Sequence, residues 1–149
     1  GADIIYVARV PAKRIMSVAL SIGTRLPAYN TSMGRVLLAA LDSEELNTYF
    51  AASERASYTP HTVFGETELR DILAQVRADG FAAVDQELEL GVRSVAVPVR
   101  ERSDKTLAAL NVSGHAARVS MRDIRRNFLP PLQAAASAIA AALSGSREQ

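Results

Sequence analysis

Three strand-like runs follow one another closely in the second half of the chain: Phe81–Glu87, Val92–Arg100 and Thr106–Ser113. A turn near Leu90-Gly91 joins the first two, and the polar stretch Glu101–Lys105 joins the second pair. Connections this short cannot carry a crossover, so neighbouring runs must pair antiparallel. Whatever else the chain does, it builds a sheet here and must cover at least one face of it.

The remaining segments are mostly helical or strand-like by their periodicity. Ile4–Val10 is β-branched and aromatic, and Pro11-Ala12-Lys13 turns it back into a second strand over Ile15–Ile22. Gly23–Asn30 reads as a loop holding Pro27, after which Thr31 or Ser32 offers a capping hydroxyl for a helix over Met33–Leu41. Asp42 and Glu45 have capping-box spacing and open another helix to about Ala51. Ser53–Gly65, with Pro60, reads as a surface connection. Leu69, Ile72, Leu73 and Val76 recur at helical spacing in Glu66–Asp79, with Gly80 as the stop. Ser120 caps a long Ala-rich helix over Met121–Leu143, in which Pro130-Pro131 threatens a kink, and the last six residues read as a frayed tail. The order β-β-α-α-α-β-β-β-α is α+β grammar, not that of a doubly wound parallel fold.

Composition narrows the function classes. The chain has 149 residues, 48% of them hydrophobic, enough for one domain with its own core. Seventeen basic side chains face 16 acidic ones, net +1, with the signs interspersed. A nucleic-acid module shows a basic stripe, so this chain by itself is not expected to grip DNA. The absence of cysteine excludes disulfides, thiolate zinc sites and thiol nucleophiles, and fits a reducing cytoplasm. The longest uncharged apolar stretch, Ala134–Leu143, is half the roughly twenty residues of a membrane span, so no membrane contact is expected. The start at Gly1-Ala2-Asp3, running at once into a strand, reads as a domain excised from a longer chain.

Catalysis has little to work with. His61 lies in a polar loop and His115 follows the last strand; neither has the partners of a metal site. Ser113 and His115 share a strand face, but no third group orients the base, and no serine sits in a nucleophile elbow. Gly23 and Gly34 stand alone, so there is no phosphate loop. Neither an enzyme nor a cofactor protein is expected, with a Ser113–His115 hydrolase the weakest alternative.

Two stretches remain. In Arg25-Leu-Pro-Ala-Tyr-Asn-Thr-Ser-Met-Gly-Arg35 a loop delivers hydroxyls and amides to a helix start. Such amides lack intrahelical partners and favour an anion, so a carboxylate could rest on Thr31–Gly34; the plainer alternative is that Thr31 or Ser32 only caps the helix. In the second, Asp85–Ser94 leads into a strand whose alternation groups Val92, Ser94 and Ala96, while Ala109, Asn111 and Ser113 share a face of the last strand. Polar groups there line a small-molecule pocket or lie on the wet side of a one-sided sheet. Asp85, Glu87 and Glu89 suit a solvated turn or a site.

These stretches, together with Ala108-Ala-Leu-Asn-Val-Ser-Gly-His-Ala-Ala-Arg118, resemble the effector-binding domain of IclR-family bacterial transcription regulators over essentially the whole chain. The details look closest to the subgroup governing protocatechuate, 4-hydroxybenzoate and β-ketoadipate catabolism. The resemblance implies a GAF-like α+β fold over residues 1–149, a winged helix-turn-helix N-terminal to it that alone touches DNA, and dimers or tetramers. It implies a pocket on the sheet, closed by the loop before the first helix. Carried over, the effector-binding residues are Leu26, Tyr29, Asn30, Thr31, Ser32, Met33, Gly34, Asp85 or its neighbour, Val92, Ser94, Asn111 and Ser113. Val84 stands where some members carry a second acid, and Ser94 and Asn111 replace Cys and Ser seen elsewhere. The resulting expectation is a cytoplasmic sensor of a small aromatic or dicarboxylic acid. The alternative is a ligand-independent oligomerisation module.

Overall fold

The computed structural model describes residues 2–8 and 22–147. A short antiparallel pair, β1 (Asp3–Ile5) and β2 (Arg25–Pro27), precedes three helices: α1 (Ser32–Ala39), α2 (Ser43–Ala52) and α3 (Glu66–Asp79). The main sheet follows, with β3 (Ala82–Asp85), β4 (Val92–Arg100) and β5 (Thr106–His115) in that spatial order and antiparallel throughout. The chain closes with α4 (Met121–Asp123), a π-helical segment Ile124–Phe128, and α5 (Leu129–Arg147). This is the expected α+β order.

The first pair differs from expectation. Among the described residues of the Ile4–Val10 run, Ile4 and Ile5 lie in a strand that begins at Asp3, and its partner is Arg25–Pro27, a segment expected to be loop; Arg9 and Val10 lie outside the described residues. Leu26 sits opposite the buried Ile4, and Pro27 occupies the end of a short strand, where a missing N–H costs nothing. The expected strand Ile15–Ile22 lies outside the described residues except for Ile22, which is in a turn with Gly23.

Local signals set the helix ends. Thr31, not Ser32, caps α1, its hydroxyl accepting from the Gly34 amide. Asp42 and Glu45 form the expected capping box on α2. Gly80 ends α3 in the left-handed region that favours glycine, at φ 79°. Pro130 and Pro131 do not break the last helix. The Leu129 amide reaches back five residues to the Ile124 carbonyl, and this wide turn precedes two residues that have no N–H to donate.

Alternation along the strands divides the molecule into two apolar clusters, one on each face of the sheet. Val95, Val97 and Val99 of β4 pack with Ala83, Ala108 and Leu110 against Ile124, Leu129, Leu132 and Ala136 of the last helix. The opposite face carries Ala82, Ala96 and Ala109 into a cluster with Val36 and Leu38 of α1, Tyr49 and Phe50 of α2, and Leu69, Leu73 and Val76 of α3. Each large aliphatic side chain fully buried this way contributes roughly 1.5–3 kcal/mol. One expectation needs correction: by length and composition the helix Met121–Gly145 is apolar enough to cross a membrane, because the continuous helix counts residues on both sides of the prolines. In this fold one of its faces is docked on the sheet.

Candidate functional site

The cleft forms where the apolar cluster under α1 runs out of large side chains. Register places Ser94 opposite Ser113 and Ala96 opposite Asn111, so the small and polar residues of β4 and β5 gather at one end of the α1 face. There the start of α1 and the sheet leave a small, partly open cleft between them. Asn30, Thr31, Ser32 and Met33 line it from the α1 side, Ser94, Asn111 and Ser113 from the sheet, and Leu26 and Val92 complete the expected part of the wall. Asn111 Nδ2 lies 3.4 Å from Ser113 Oγ, a long contact that leaves both groups available to another partner.

The helix start meets part of its own demand. The Gly34 amide donates to Thr31 Oγ1 at 3.1 Å and the Arg35 amide to the Thr31 carbonyl at 3.0 Å. That leaves the amides of Ser32 and Met33 as the helix-start donors next to the cleft. Capping and anion binding are therefore compatible here, because they use different amides.

Three expected site residues lie outside the cleft lining. Tyr29 is buried in the α1 cluster, where its hydroxyl donates to the Ala56 carbonyl at 2.8 Å and accepts from the Ala56 amide at 3.0 Å. Gly34 supports the cleft by having no side chain, since a Cβ there would lie 2.1 Å from the Ala28 carbonyl oxygen. Asp85 belongs to the other face of β3. Successive strand residues point to opposite sides, so Val84, paired with Ser94, faces the cleft, whereas Asp85 is paired with Arg93. Arg93 Nε donates to Asp85 at 2.7 Å and holds its carboxyl below the usual carboxylate range.

Tyr6, Val84, Leu88 and Glu89 also line the cleft. Val84 was legible from its parity with Ser94; Tyr6, Leu88 and Glu89 arrive through chain reversals that no local pattern records. His115 Nδ1 accepts from the Ala117 amide at 3.1 Å, which turns that nitrogen away from the proton-relay role a Ser113–His115 pair requires. No group of three or more potential metal ligands occurs among the described residues.

Beneath the cleft, Arg35 and Glu87 form a bidentate pair at 2.7 and 2.6 Å, both nearly inaccessible. Arg35 Nε also donates to the Tyr29 carbonyl, and Glu87 Oε1 accepts from the Val63 amide. Thr59 and Thr62 donate to the carbonyls of Gln86 and Glu87. The expected surface connection Ser53–Gly65 is thus pinned to the β3–β4 turn, and Glu87 is a buried anchor, not part of a solvated turn. Gln86, at φ 58°, ends β3 ahead of the expected Glu87.

Comparison with known proteins gives one consistent answer. A family model described as the bacterial transcriptional regulator IclR C-terminal domain matches residues 1–141. The Pca regulon regulatory protein of Pseudomonas putida is 48% identical over 136 residues, covering 91% of this chain and 47% of that protein. Among solved structures, a transcriptional regulator from Rhodococcus sp. RHA1 superposes with a TM-score of 0.93 at 49% identity, covering 98% of this chain and 60% of that one. The inducer-binding domain of the PobR transcription factor from Acinetobacter, a double mutant solved with 3-hydroxybenzoic acid, superposes at 0.85 with 31% identity, covering 93% and 82%. The chain spans about half the length of the curated relatives it matches.

Proposed function

The chain belongs to the IclR family of bacterial transcriptional regulators and corresponds to its C-terminal effector-binding domain, and from that premise we propose that its cleft senses a small aromatic or dicarboxylic acid. The observation that carries this reading is the convergence of two free helix-start amides, at Ser32 and Met33, with Ser94, Asn111 and Ser113 across one cleft. The amides are preformed donors for a carboxylate, and the strand side chains complete its shell. Leu26, Met33, Val84 and Val92 supply the apolar wall that most ligand sites have. The solved complex of the PobR domain with 3-hydroxybenzoic acid supports an aromatic acid.

Effector binding stabilises one arrangement of the loop before α1 against the sheet. A winged helix-turn-helix outside this chain reads that bias through the differential affinity of the effector for the two arrangements. The whole regulator works in the bacterial cytoplasm and assembles as a dimer or tetramer, and the exposed Ile139 and Leu143 on α5 supply apolar surface for the contact. The chain alone does not bind a specific duplex, and its relatives are regulators, not enzymes.

A thermal-shift plate of aromatic acids and keto-dicarboxylates tests this directly. An acid present at 100 times its dissociation constant adds about 2.7 kcal/mol to the folded state. A clear rise in Tm with one chemical group of acids is the expected result. A flat response across the plate, from a chain that sediments as a stable oligomer, would favour an oligomerisation module with no ligand.

A further inference from the structure

Between Gly114 and Leu129 the chain holds Arg118, Arg122, Arg125 and Arg126 against a single acid, Asp123. That acid is already committed, its carboxylate accepting from the Ser120 amide in the cap of α4. All four arginines are exposed, and none is within ion-pair distance of an acid among the described residues. Elsewhere the fold uses its arginines: Arg70, Arg93 and Arg100 meet carboxylates, and Arg55 and Arg77 donate to backbone carbonyls. The overall balance of charge hides a local excess on one surface.

The π-helical segment produces that surface. Ile124 and Leu129 are five residues apart, about 1.4 turns of ordinary helix, yet both are buried against the sheet. The wide turn brings them onto one face and leaves Arg122, Arg125 and Arg126 exposed. These three and the half-buried Met121 line one shallow surface depression. Arg125 lies over the Phe81 ring, its Cζ 5.8 Å from the centroid.

The chemistry of the patch selects its partner. A protein interface is anchored by apolar or aromatic side chains at its centre. Among the described residues of 113–129 no large hydrophobic side chain is exposed. The contact is therefore made by charge, and the guanidinium fork matches phosphate oxygens. A DNA duplex presents phosphates in a repeating row that neighbouring arginines meet without reading sequence. We propose that Arg122, Arg125 and Arg126 make a weak, sequence-independent contact to the phosphate backbone of DNA, alongside the helix-turn-helix outside this chain. This departs from the expectation that the helix-turn-helix alone touches DNA. It rests on the reading of this chain as one domain of a DNA-bound regulator, and not on the identity of its effector. Tethering by the helix-turn-helix raises the local concentration of DNA to where a weak contact counts.

Fluorescence anisotropy of the 149-residue chain with two labelled duplexes of unrelated sequence tests the assignment. At about 20 mM salt both duplexes should bind, within about twofold of each other. Three neutralised phosphates predict a slope of log K on log salt of about −2.7, a loss of about 500-fold by about 200 mM salt. Arg122→Gln, Arg125→Gln and Arg126→Gln together should bring the slope below about 1 in magnitude and weaken binding about tenfold or more. The Tm should hold, because no ion pair is lost. Lysine at the same three positions keeps the charge and should keep the slope. A control with the same loss of charge, Arg25→Gln with Arg100→Gln and Arg102→Gln, should bind within about threefold of the parent. A parent that ignores DNA at about 20 mM salt, a folded glutamine triple that binds like the parent, or a control that loses as much as the triple each overturns the proposal. So does low-salt self-association in place of DNA binding, lost in the same triple, which would assign the patch to the acidic first turn of α2 in a second copy. None of these outcomes touches the acid-sensing reading, which the thermal-shift plate decides separately.

Discussion

Asn30 and Arg35 lie five residues apart, one before α1 and one inside it, and both are buried almost completely. Arg35 has its guanidinium matched to the Glu87 carboxylate and the Tyr29 carbonyl, and Glu87 in turn takes the Val63 amide. Asn30 has nothing. The first site is closed: its polar groups are spent on holding the connection 53–65 and the β3–β4 turn against α1. The second is open toward the cleft. Burial of a polar side chain is therefore not informative by itself; the state of its hydrogen bonds separates a group that serves the fold from one that serves a ligand.

Breaking the closed site has the largest expected effect. Glu87→Ala strands the Arg35 charge and should cost about 3–5 kcal/mol in urea unfolding, the range for removing one partner of a buried pair. A loss under about 1 kcal/mol means that water reaches Arg35, and the contrast with Asn30 disappears.

Gly34 lies between the two sites and lets the Ala28 backbone cross the helix. Gly34→Ala drives a Cβ into that backbone and should cost about 1–3 kcal/mol of stability, readable by the same unfolding experiment. A neutral outcome requires the loop to move off α1, which would reshape the cleft.

The open site is sharpened by Asn111→Leu on the facing strand. Effector affinity should fall by roughly 1–3 kcal/mol by titration, with folding intact, since leucine suits a strand interior. Unchanged affinity would place the effector away from β5.

The smallest effect concerns a pair that is neither closed nor open. Asp85 and Arg93 meet at 2.7 Å, but the carboxylate side chain is 41% exposed. Its folded pKa is lowered, first by the hydrogen bond from Arg93. The resulting stabilisation is present in full above the ordinary carboxylate range and fades as pH falls through the lowered value. Asp85→Asn should lower stability slightly at neutral pH, with the difference from the parent closing as pH falls through the carboxylate range; a large loss at neutral pH would mean a role beyond this pair.

Local chemistry was legible in the sequence. The Asp42–Glu45 box, the Gly80 stop and the β4 bounds depend on a few adjacent residues, and nine of the twelve expected site residues line the cleft because strand parity and one helix start place them there. What escaped is non-local or depends on a single step of parity. The pairing of Arg35 with Glu87 spans 52 residues, and nothing nearby announces it. Asp85 and Val84 differ by one position, yet that position decides which face of the sheet each serves. Arg25–Pro27 became a strand because Ile4 needed a partner, a demand invisible within the segment itself.

The central claim is that an acid sits between the start of α1 and the polar end of β4 and β5. Amide-resolved NMR during titration of the 149-residue chain with 4-hydroxybenzoate or 3,4-dihydroxybenzoate tests it most directly. The account predicts the largest shifts at the Ser32 and Met33 amides and the Asn30 side-chain amide, smaller ones at Ser94, Asn111 and Ser113, and little change along α5. Shifts concentrated on α5, or saturating binding that leaves Ser32 and Met33 unmoved, would contradict it.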